Sequence, residues 1–348
     1  PDGSGYYTVT VTSAFPAAAT MKTVGLQGYF TQAAGTNGIA AATARHAQSV
    51  VKTVTGDTAR RVIVDGEKCG NCHEWFEGHG GNRILGKGMA QAQNICVMCH
   101  VPGLSSSGKG ADANLIDFIR TQNVGTAITT VNPLTSAAYG GTVSSSAKAT
   151  MTALVAALGS DPTTYPEVSN NFKDMIHSTH AGSDASVVGD KFKFVRGDRG
   201  TSGIFYYDFS TFKFPGILKR CDMCHTTYTR QSGYSTVLVP TYTEVDPKSA
   251  VTTVRTIGAS ADANNVIKVD ADRKSLPNAT DLVNTPFASS CVSCHSLPAA
   301  KAHIKQNGGQ LSVPRSTADA SNEACITCHG TSGPAALWNI HRFSVTGE

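Results

Sequence analysis

Ten cysteines stand in five pairs, and the second cysteine of every pair is followed by a histidine. The segments are CGNCH (Cys69, Cys72), CVMCH (Cys96, Cys99), CDMCH (Cys221, Cys224), CVSCH (Cys291, Cys294) and CITCH (Cys325, Cys328). CxxCH is the attachment signature of c-type haem. Its spacing places both sulfurs on one side of a turn, where they can add to the two vinyl groups of one porphyrin, and the next imidazole faces the iron. The sequence therefore predicts five covalently bound haem c groups.

Two other uses of paired cysteines compete with haem. Four-cysteine zinc sites need the pairs in twos, whereas five pairs cannot be divided in that way, and zinc does not require a histidine after every second cysteine. Redox-active CxxC motifs occur singly in a thioredoxin context, and structural disulfides rarely repeat so tight a spacing. We therefore prefer haem to zinc or disulfides.

Each haem iron has two axial positions, and the motif histidine fills one of them. The motif ligands are His73, His100, His225, His295 and His329. Six histidines remain, namely His46, His79, His177, His180, His303 and His341. This number favours bis-histidine ligation of all five irons, with one histidine to spare. Methionine is the alternative ligand, but Met98 and Met223 lie inside CxxCH loops and are poorly aimed, which leaves Met21, Met89, Met151 and Met175.

The surroundings of the six histidines differ. His79 in FEGHGGNR is too near His73 to reach the opposite face of the same haem, so we expect it to serve another haem. His303 and His341 each follow a motif by a short stretch that reads as helical. His46 precedes every motif and has no such setting, so we take it as the spare histidine.

A histidine pair lies in NFKDMIHSTHAG, where His177 and His180 share one face of a predicted short helix that ends near Gly182. Because each iron has only one remaining position, the two imidazoles should bind two different haems. The helix is then expected to hold two haems at a small fixed separation, as electron transfer needs.

The composition indicates what kind of fold positions these residues. A chain of 348 residues is long enough for about two domains. Only 40% of the residues are hydrophobic and 7% are aromatic, so side chains alone would build a thin core. Large apolar cofactors can replace side chains in the interior. We therefore predict a haem-cored multihaem c-type cytochrome with short helices and little regular secondary structure, plus a small N-terminal β segment.

We predict two domains along the chain. Residues 1–62 form a small β-rich segment, in which YYTVTVTSAF and TVGLQGYFTQ read as strands, and residues 63–348 form a pentahaem cytochrome module. The module contains a Ser/Ala/Gly-rich insertion near 104–168, where ATMTALVAALG predicts a helix ended by Gly159. The insertion reads as a surface covering over the haems, with a docking element as the alternative. A Thr/Val-rich stretch, 226–275, reads as strands and loops.

Charge and hydropathy bear on location and partners. No run of about 18 apolar residues is present, so we expect no transmembrane helix. Covalent haem is made outside the cytoplasm, so the chain is expected to be exported. Its formal charge of +4 becomes about −1 with five ferric haems that each carry two ionised propionates, and nucleic-acid binding is therefore not indicated. We expect four basic residues next to the motifs to pair with propionates: Lys68, Arg83, Lys219 and Arg220.

The order and spacing of these segments resemble the pentahaem modules of the OmcA/MtrC family of outer-membrane multihaem cytochromes. The matching stretches are CGNCHEWFEGHGGNRILGKGMAQAQNICVMCHVPG, NFKDMIHSTHAG, FKFPGILKRCDMCH, TPFASSCVSCHSLPAAKAHIKQNGG and ACITCHGTSGPAALWNIHR. The resemblance implies distal ligands at the five histidines that the count prefers, namely His79, His177, His180, His303 and His341. It also implies electron transfer to external metal oxides, flavins or humic substances, with other multihaem cytochromes or an outer-membrane conduit as partners.

The chain departs from the family pattern in two ways. Family members typically carry ten haems in two modules, each paired with a β domain, whereas this chain has one module. Many are tethered by a lipidated N-terminal cysteine, whereas every cysteine here is committed to haem. We therefore expect tethering through a partner, through self-assembly or through residues outside this sequence. The expected location is extracellular or on the outer surface of a Gram-negative bacterium, in preference to the periplasm.

Three functions follow from these features. The first is an electron conduit, because two axial histidines leave the iron no open position for a substrate. The alternative is a catalytic pentahaem reductase of the nitrite-reducing type, which has a lysine in one motif and an open haem site, but no CxxCK occurs here. A third is a repeating unit of a cytochrome filament, which the single module and the small β segment favour. We expect an electron-transfer protein rather than an enzyme.

Overall fold

The computed structural model describes residues 3–38, 40–46, 49–60, 62–79, 83–86, 93–102, 113–132, 137–160, 165, 168–189, 192–197, 204–226, 243–246, 282–330 and 332–341. The chain divides into two compact units, residues 1–98 with 223–226, and residues 99–222 with 227–348. Most of the predicted Thr/Val-rich stretch 226–275 and part of the insertion near 104–168 lie outside the described residues. The domain division at residue 62 stays a prediction.

The described helices are short. In chain order they are α1 Gly66–Cys69, α2 Gln93–Cys96, α3 Ala113–Thr121, α4 Ser145–Leu158, α5 Phe172–Ala181, α6 Pro286–Val292, α7 Pro298–Gln306, α8 Arg315–Asp319, α9 Cys325–His329 and α10 Leu337–Ile340. Single 3-10 turns occupy Thr36–Gly38 and Cys221–Met223. Within the described part of the chain, no helix has the length and apolar character to cross a lipid bilayer.

The described strands are also short, and all of them pair antiparallel. They are β1 Thr23–Leu26, β2 Tyr29–Gln32, β3 Thr43–His46, β4 Val50–Thr53, β5 Trp75–Gly78, β6 Arg83–Gly86, β7 Val131–Asn132, β8 Ala137–Ala138, β9 Lys193–Gly197, β10 Ile204–Asp208, β11 Thr243–Asp246, β12 Leu282–Asn284 and β13 Val313–Pro314. Two-stranded ribbons join β1 to β4, β2 to β3, β5 to β6, β7 to β8 and β9 to β10, and β11, β12 and β13 form one sheet in that order. The small elements confirm the predicted low content of regular secondary structure.

The first unit tests the two strand predictions near the N-terminus. TVGLQGYFTQ forms β1 and β2 as predicted, and β1 pairs with β4 from Thr23 opposite Thr53 to Leu26 opposite Val50. The prediction for YYTVTVTSAF is wrong, because residues 6–15 form no strand and Tyr7 and Val9 are 80% and 81% exposed. Alternating β-branched residues make a strand only where a partner strand and a packed face are present. Among the described residues, no strand pairs with this segment.

Helix α4 shows how local sequence sets an element. Ser144 precedes the helix, and its Oγ accepts a hydrogen bond from the amide of Ala147 at 3.1 Å, which satisfies one donor of the first turn. The helix stops at Gly159, whose φ of +88° lies in the left-handed region that glycine adopts without strain. The predicted helix in ATMTALVAALG and its end at Gly159 are therefore confirmed.

A hydrophobic core lies in the second unit, mostly within the predicted insertion. Its buried members are Leu115, Ile116, Ile119, Ile128, Val143, Met151, Leu154, Tyr165 and Val195. They bring α3 and α4 together with β9, and the hydroxyl of Tyr165 donates to the Gly159 carbonyl at 2.9 Å. The average composition concealed this core, because the apolar residues of the insertion are concentrated on α3 and α4.

Candidate haem-binding sites

The first cysteine of each CxxCH segment lies in a helical turn. The first cysteines lie at the end of α1 (Cys69), at the end of α2 (Cys96), at the start of the 3-10 turn (Cys221), within α6 (Cys291) and at the start of α9 (Cys325). The amide of His73 donates to the Cys69 carbonyl at 2.8 Å, and the amide of His295 donates to the Cys291 carbonyl at 2.7 Å. A turn closed in this way brings the two sulfurs to one side, as attachment to one porphyrin edge requires.

The described residues give no support to the alternative uses of the cysteines. None of the ten, all of which lie in described residues, forms a disulfide. Among the described residues, no three His, Cys, Asp or Glu side chains are gathered as a metal site needs. Burial raises the pKa of Cys69 to about 11, of Cys291 to about 12 and of Cys294 to about 11.

Two motif histidines are held through the same ring nitrogen. Nδ1 of His100 lies 2.9 Å from the carbonyl oxygen of Asn170, and Nδ1 of His329 lies 2.9 Å from the carbonyl oxygen of Ala335. A carbonyl only accepts, so Nδ1 carries the hydrogen, and Nε2 carries the lone pair that a metal binds. A third motif histidine, His225, is buried, and burial lowers its pKa to about 4. Its imidazole is therefore neutral, as an iron ligand must be.

Two motif histidines in the second unit face histidines from outside the motifs. The ring centres of His295 and His341 are 5.7 Å apart with an interplanar angle of 69°. Those of His329 and His303 are 6.0 Å apart with an angle of 85°. Burial, and then the charges of His295 and His329, lower the pKa of His341. The four imidazoles therefore form two facing pairs, and His341 lies near a member of each pair.

Helix α5 carries the histidine pair of NFKDMIHSTHAG, and the predicted helix and its end near Gly182 are confirmed. Nδ1 of His180 donates to the Ile176 carbonyl at 2.8 Å, and Nδ1 of His177 lies 3.2 Å from Oγ of Ser293, inside the CVSCH loop. The His180 ring also meets two aromatic rings edge-on, Phe212 and Phe214, at 5.8 and 5.4 Å. Both imidazoles are thus fixed through Nδ1, although by different segments.

The remaining two histidines lie in the first unit. His79 follows β5 and has a φ of +53°, a left-handed conformation that is uncommon for a residue with a side chain. Such strain at an exposed turn is typical of functional sites. The glycines that follow, Gly80 and Gly81, lie outside the described residues. His46 is the last residue of β3, opposite Tyr29.

Some charged residues near the motifs make contacts that the sequence did not predict. Arg220 forms a two-point ion pair with Asp222 at 2.7 and 2.8 Å, and Lys68 donates to the His225 carbonyl at 2.7 Å. Lys173 and Glu323, which sequence reasoning missed, contact α6 just before the CVSCH motif. Nothing in their local sequence distinguishes these two residues from the other charged residues of the chain.

Paired cysteines in helical turns, a histidine after each pair and two close pairs of imidazoles are features of a multihaem c-type cytochrome. A family described as outer membrane cytochrome MtrC/MtrF-like, domains II/IV, matches residues 61–342, and the chain belongs to this family. Membership implies covalently bound haem c and electron transfer at the outer membrane or cell surface, together with other cytochromes. No curated protein and no solved structure matches the chain.

Proposed function

We propose that the chain binds five haem c groups, each between two histidines, and conducts electrons at the cell surface to external acceptors. The observation that carries this proposal is the two pairs of imidazoles, whose ring centres are 5.7 and 6.0 Å apart. Two metal–nitrogen bonds of about 2 Å, with about 1 Å from each nitrogen to its ring centre, place two axial imidazoles about 6 Å apart. The residues therefore fit a bis-histidine haem.

The geometry supports a specific assignment of axial ligands in the second unit. His341 serves the iron held by His295, and His303 serves the iron held by His329. Nδ1 of His177 lies against the CVSCH loop, whose iron we assign to His341, so we assign His177 to a different haem. We assign His79, His177 and His180 as the distal ligands of the remaining haems.

The family match supports excluding His46 from the haem ligands. Residues 61–342 contain all five motifs and every histidine assigned above, but not His46. The same match supports a cytochrome module that begins near residue 63, with residues 1–62 as a separate β-rich segment.

Full coordination decides between conduction and catalysis. Bound haem c supplies one-electron exchange between ferric and ferrous iron. Each of the two imidazole pairs would hold an iron on both sides and leave no position for a substrate, so these sites would exchange only electrons. A nitrite-reductase-like activity needs one site with an open position, which neither of these two pairs would leave. We infer direct electron transfer to metal oxides, flavins or humic substances without an acid or base from the protein.

A filament subunit is a second candidate, favoured by exposed apolar side chains near the N-terminus. Tyr6, Tyr7, Val9 and Val11 are 73–81% exposed, and Leu26 on β1 is 71% exposed. Such a set is typical of a surface that another protein covers. Light scattering at high protein concentration tests this candidate. Concentration-dependent growth of the particle supports a filament, whereas a monodisperse monomer contradicts it.

The haem count and the spin state test the main proposal. Intact mass and the pyridine haemochromogen assay are expected to give five haems per chain. Electron paramagnetic resonance of the oxidised protein is expected to show only low-spin ferric signals. A stoichiometric high-spin signal would instead show an open site and favour the reductase.

A further inference from the structure

The first turn of α5 directs a lysine towards α6. Lys173 is half-buried, and its Nζ donates to Oγ of Ser289 at 2.6 Å and to Oγ of Ser290 at 3.3 Å. The two serines are 0% and 8% exposed. Ser290 directly precedes Cys291, the first cysteine of the CVSCH motif. The ammonium group is therefore held in the interior, next to one haem-attachment segment.

Two carboxylates accompany this ammonium group. Asp174, which is 8% exposed, follows it in α5, and Glu323 binds the start of α6. Burial lowers the pKa of Lys173, and the negative charges of Asp174 and Glu323 oppose that decrease. Nearby negative charge favours the protonated form of a buried amine. In both serine contacts Nζ of Lys173 is the donor. The ammonium form supplies three donor hydrogens and no acceptor.

We infer that Lys173 raises the reduction potential of the haem attached through Cys291 and Cys294, and so sets where electrons reside along the chain of haems. The inference rests on the proposed function, since it requires a haem at this motif. Reduction makes a redox site more negative by one charge, and a neighbouring positive charge stabilises the reduced state. Because two hydrogen bonds hold the ammonium in a partly buried place, solvent screens it less than a surface lysine.

The opposite charges of this cluster act in opposite directions. A negative charge disfavours reduction, so Glu323 and Asp174 partly cancel the effect of Lys173. Removing Lys173 takes away a positive charge and leaves the negative charges of both carboxylates without a neighbouring cation. Each of these two effects lowers the reduction potential of the haem. The sign of the effect is therefore fixed by the contacts and does not depend on the balance within the cluster.

The test compares Lys173→Met with Lys173→Arg in the full haem-loaded protein by spectropotentiometric titration. Lys173→Met is expected to shift one reduction step about tenfold in its equilibrium constant, which is about 60 mV downwards for a one-electron couple. Lys173→Arg keeps the charge and is expected to leave that step nearly unchanged. Lys193→Met is the matched control, because it removes a lysine that is ion-paired with Asp208 at 2.9 Å on the β9–β10 ribbon. This control is expected to leave every step unchanged.

Haem content is measured first, because it tests the proposed function separately from the role of Lys173. If the parent protein lacks a haem on Cys291 and Cys294 by peptide mass, the proposed function is wrong. If that haem is present and Lys173→Met leaves the titration unchanged, or Lys173→Arg shifts it equally, the role of Lys173 is refuted. Lys173→Gln, which is neutral but can still donate to the serines, replaces Lys173→Met if the methionine variant does not fold, and the same downward shift is expected.

Discussion

Replacing Glu323 with alanine is expected to reduce the free energy of unfolding of the second unit by about 3–5 kcal/mol. Its carboxylate accepts three hydrogen bonds of 2.7 Å, from the amides of Phe287 and Ala288 and from the hydroxyl of Thr285. Thr285 is the N-cap residue of α6, but its side chain makes no cap hydrogen bond. Glu323 therefore caps α6 from a distant part of the chain, and its negative charge lies where the helix dipole favours it.

The size of the effect follows from what the substitution leaves behind. Thr285 and Ala288 are each 1% exposed, so water does not readily replace the lost acceptor. Each orphaned amide costs about 1–3 kcal/mol. The hydroxyl keeps a second, longer contact to the Gln310 carbonyl at 3.4 Å, which limits its contribution. The two orphaned amides, together with a smaller contribution from the Thr285 hydroxyl, give the expected loss of about 3–5 kcal/mol.

Thermal and denaturant unfolding, followed by circular dichroism, measure the effect. A loss of this size lowers the melting temperature by about 10 °C for a unit of this length. Asp319→Ala is the matched control, because Asp319 is an exposed carboxylate at the end of α8, and its removal is expected to change stability by less than about 0.5 kcal/mol. Equal stability of the two variants would refute the capping role of Glu323.

Three further predictions concern the haem ligands and the loop after α7. Replacing His341 with Met is expected to raise the potential of one haem with the haem count unchanged, and a titration identical to the parent excludes His341 as a ligand. Replacing His180 with Met should raise the potential of one haem and leave its neighbour low-spin; changes in both haems, or in neither, contradict separate ligation by α5. Replacing Gly308 with Ala should cost at least about 2 kcal/mol in thermal unfolding, because Gly308 has a φ of +85° and a new Cβ collides with the Asn322 carbonyl. Gly140→Ala, with open space around the new Cβ, is the control.

Features fixed by neighbouring residues could be predicted from the sequence. The CxxCH turns, the end of α4 at Gly159 and the helix that carries His177 and His180 all depend on short spacing and on local backbone preferences. β1 and β2 were also predicted, from the alternating apolar and β-branched residues of TVGLQGYFTQ, and their partners β4 and β3 lie close in sequence.

Features that depend on distant segments could not be predicted. YYTVTVTSAF has the alternation of a strand, yet a strand is stable only with a partner, and its sequence does not specify one. The pairing of His303 with His329 depends on how α7 and α9 pack, and spacing alone allowed other pairings. Lys173 and Glu323 read as ordinary surface charges, because their roles depend on α6 lying beside them.

The proposed ligand pairs are reciprocal. His303 follows the CVSCH motif but would serve the iron of CITCH, and His341 follows CITCH but would serve the iron of CVSCH. Neither site is complete without the other segment, and Glu323 adds a second link by joining the CITCH segment to the helix that carries Cys291. Two haems held in this reciprocal way would keep a fixed separation. A steady rate of electron transfer between them requires such a fixed separation. Neither site would form from local sequence alone, because each would need an imidazole from the other segment.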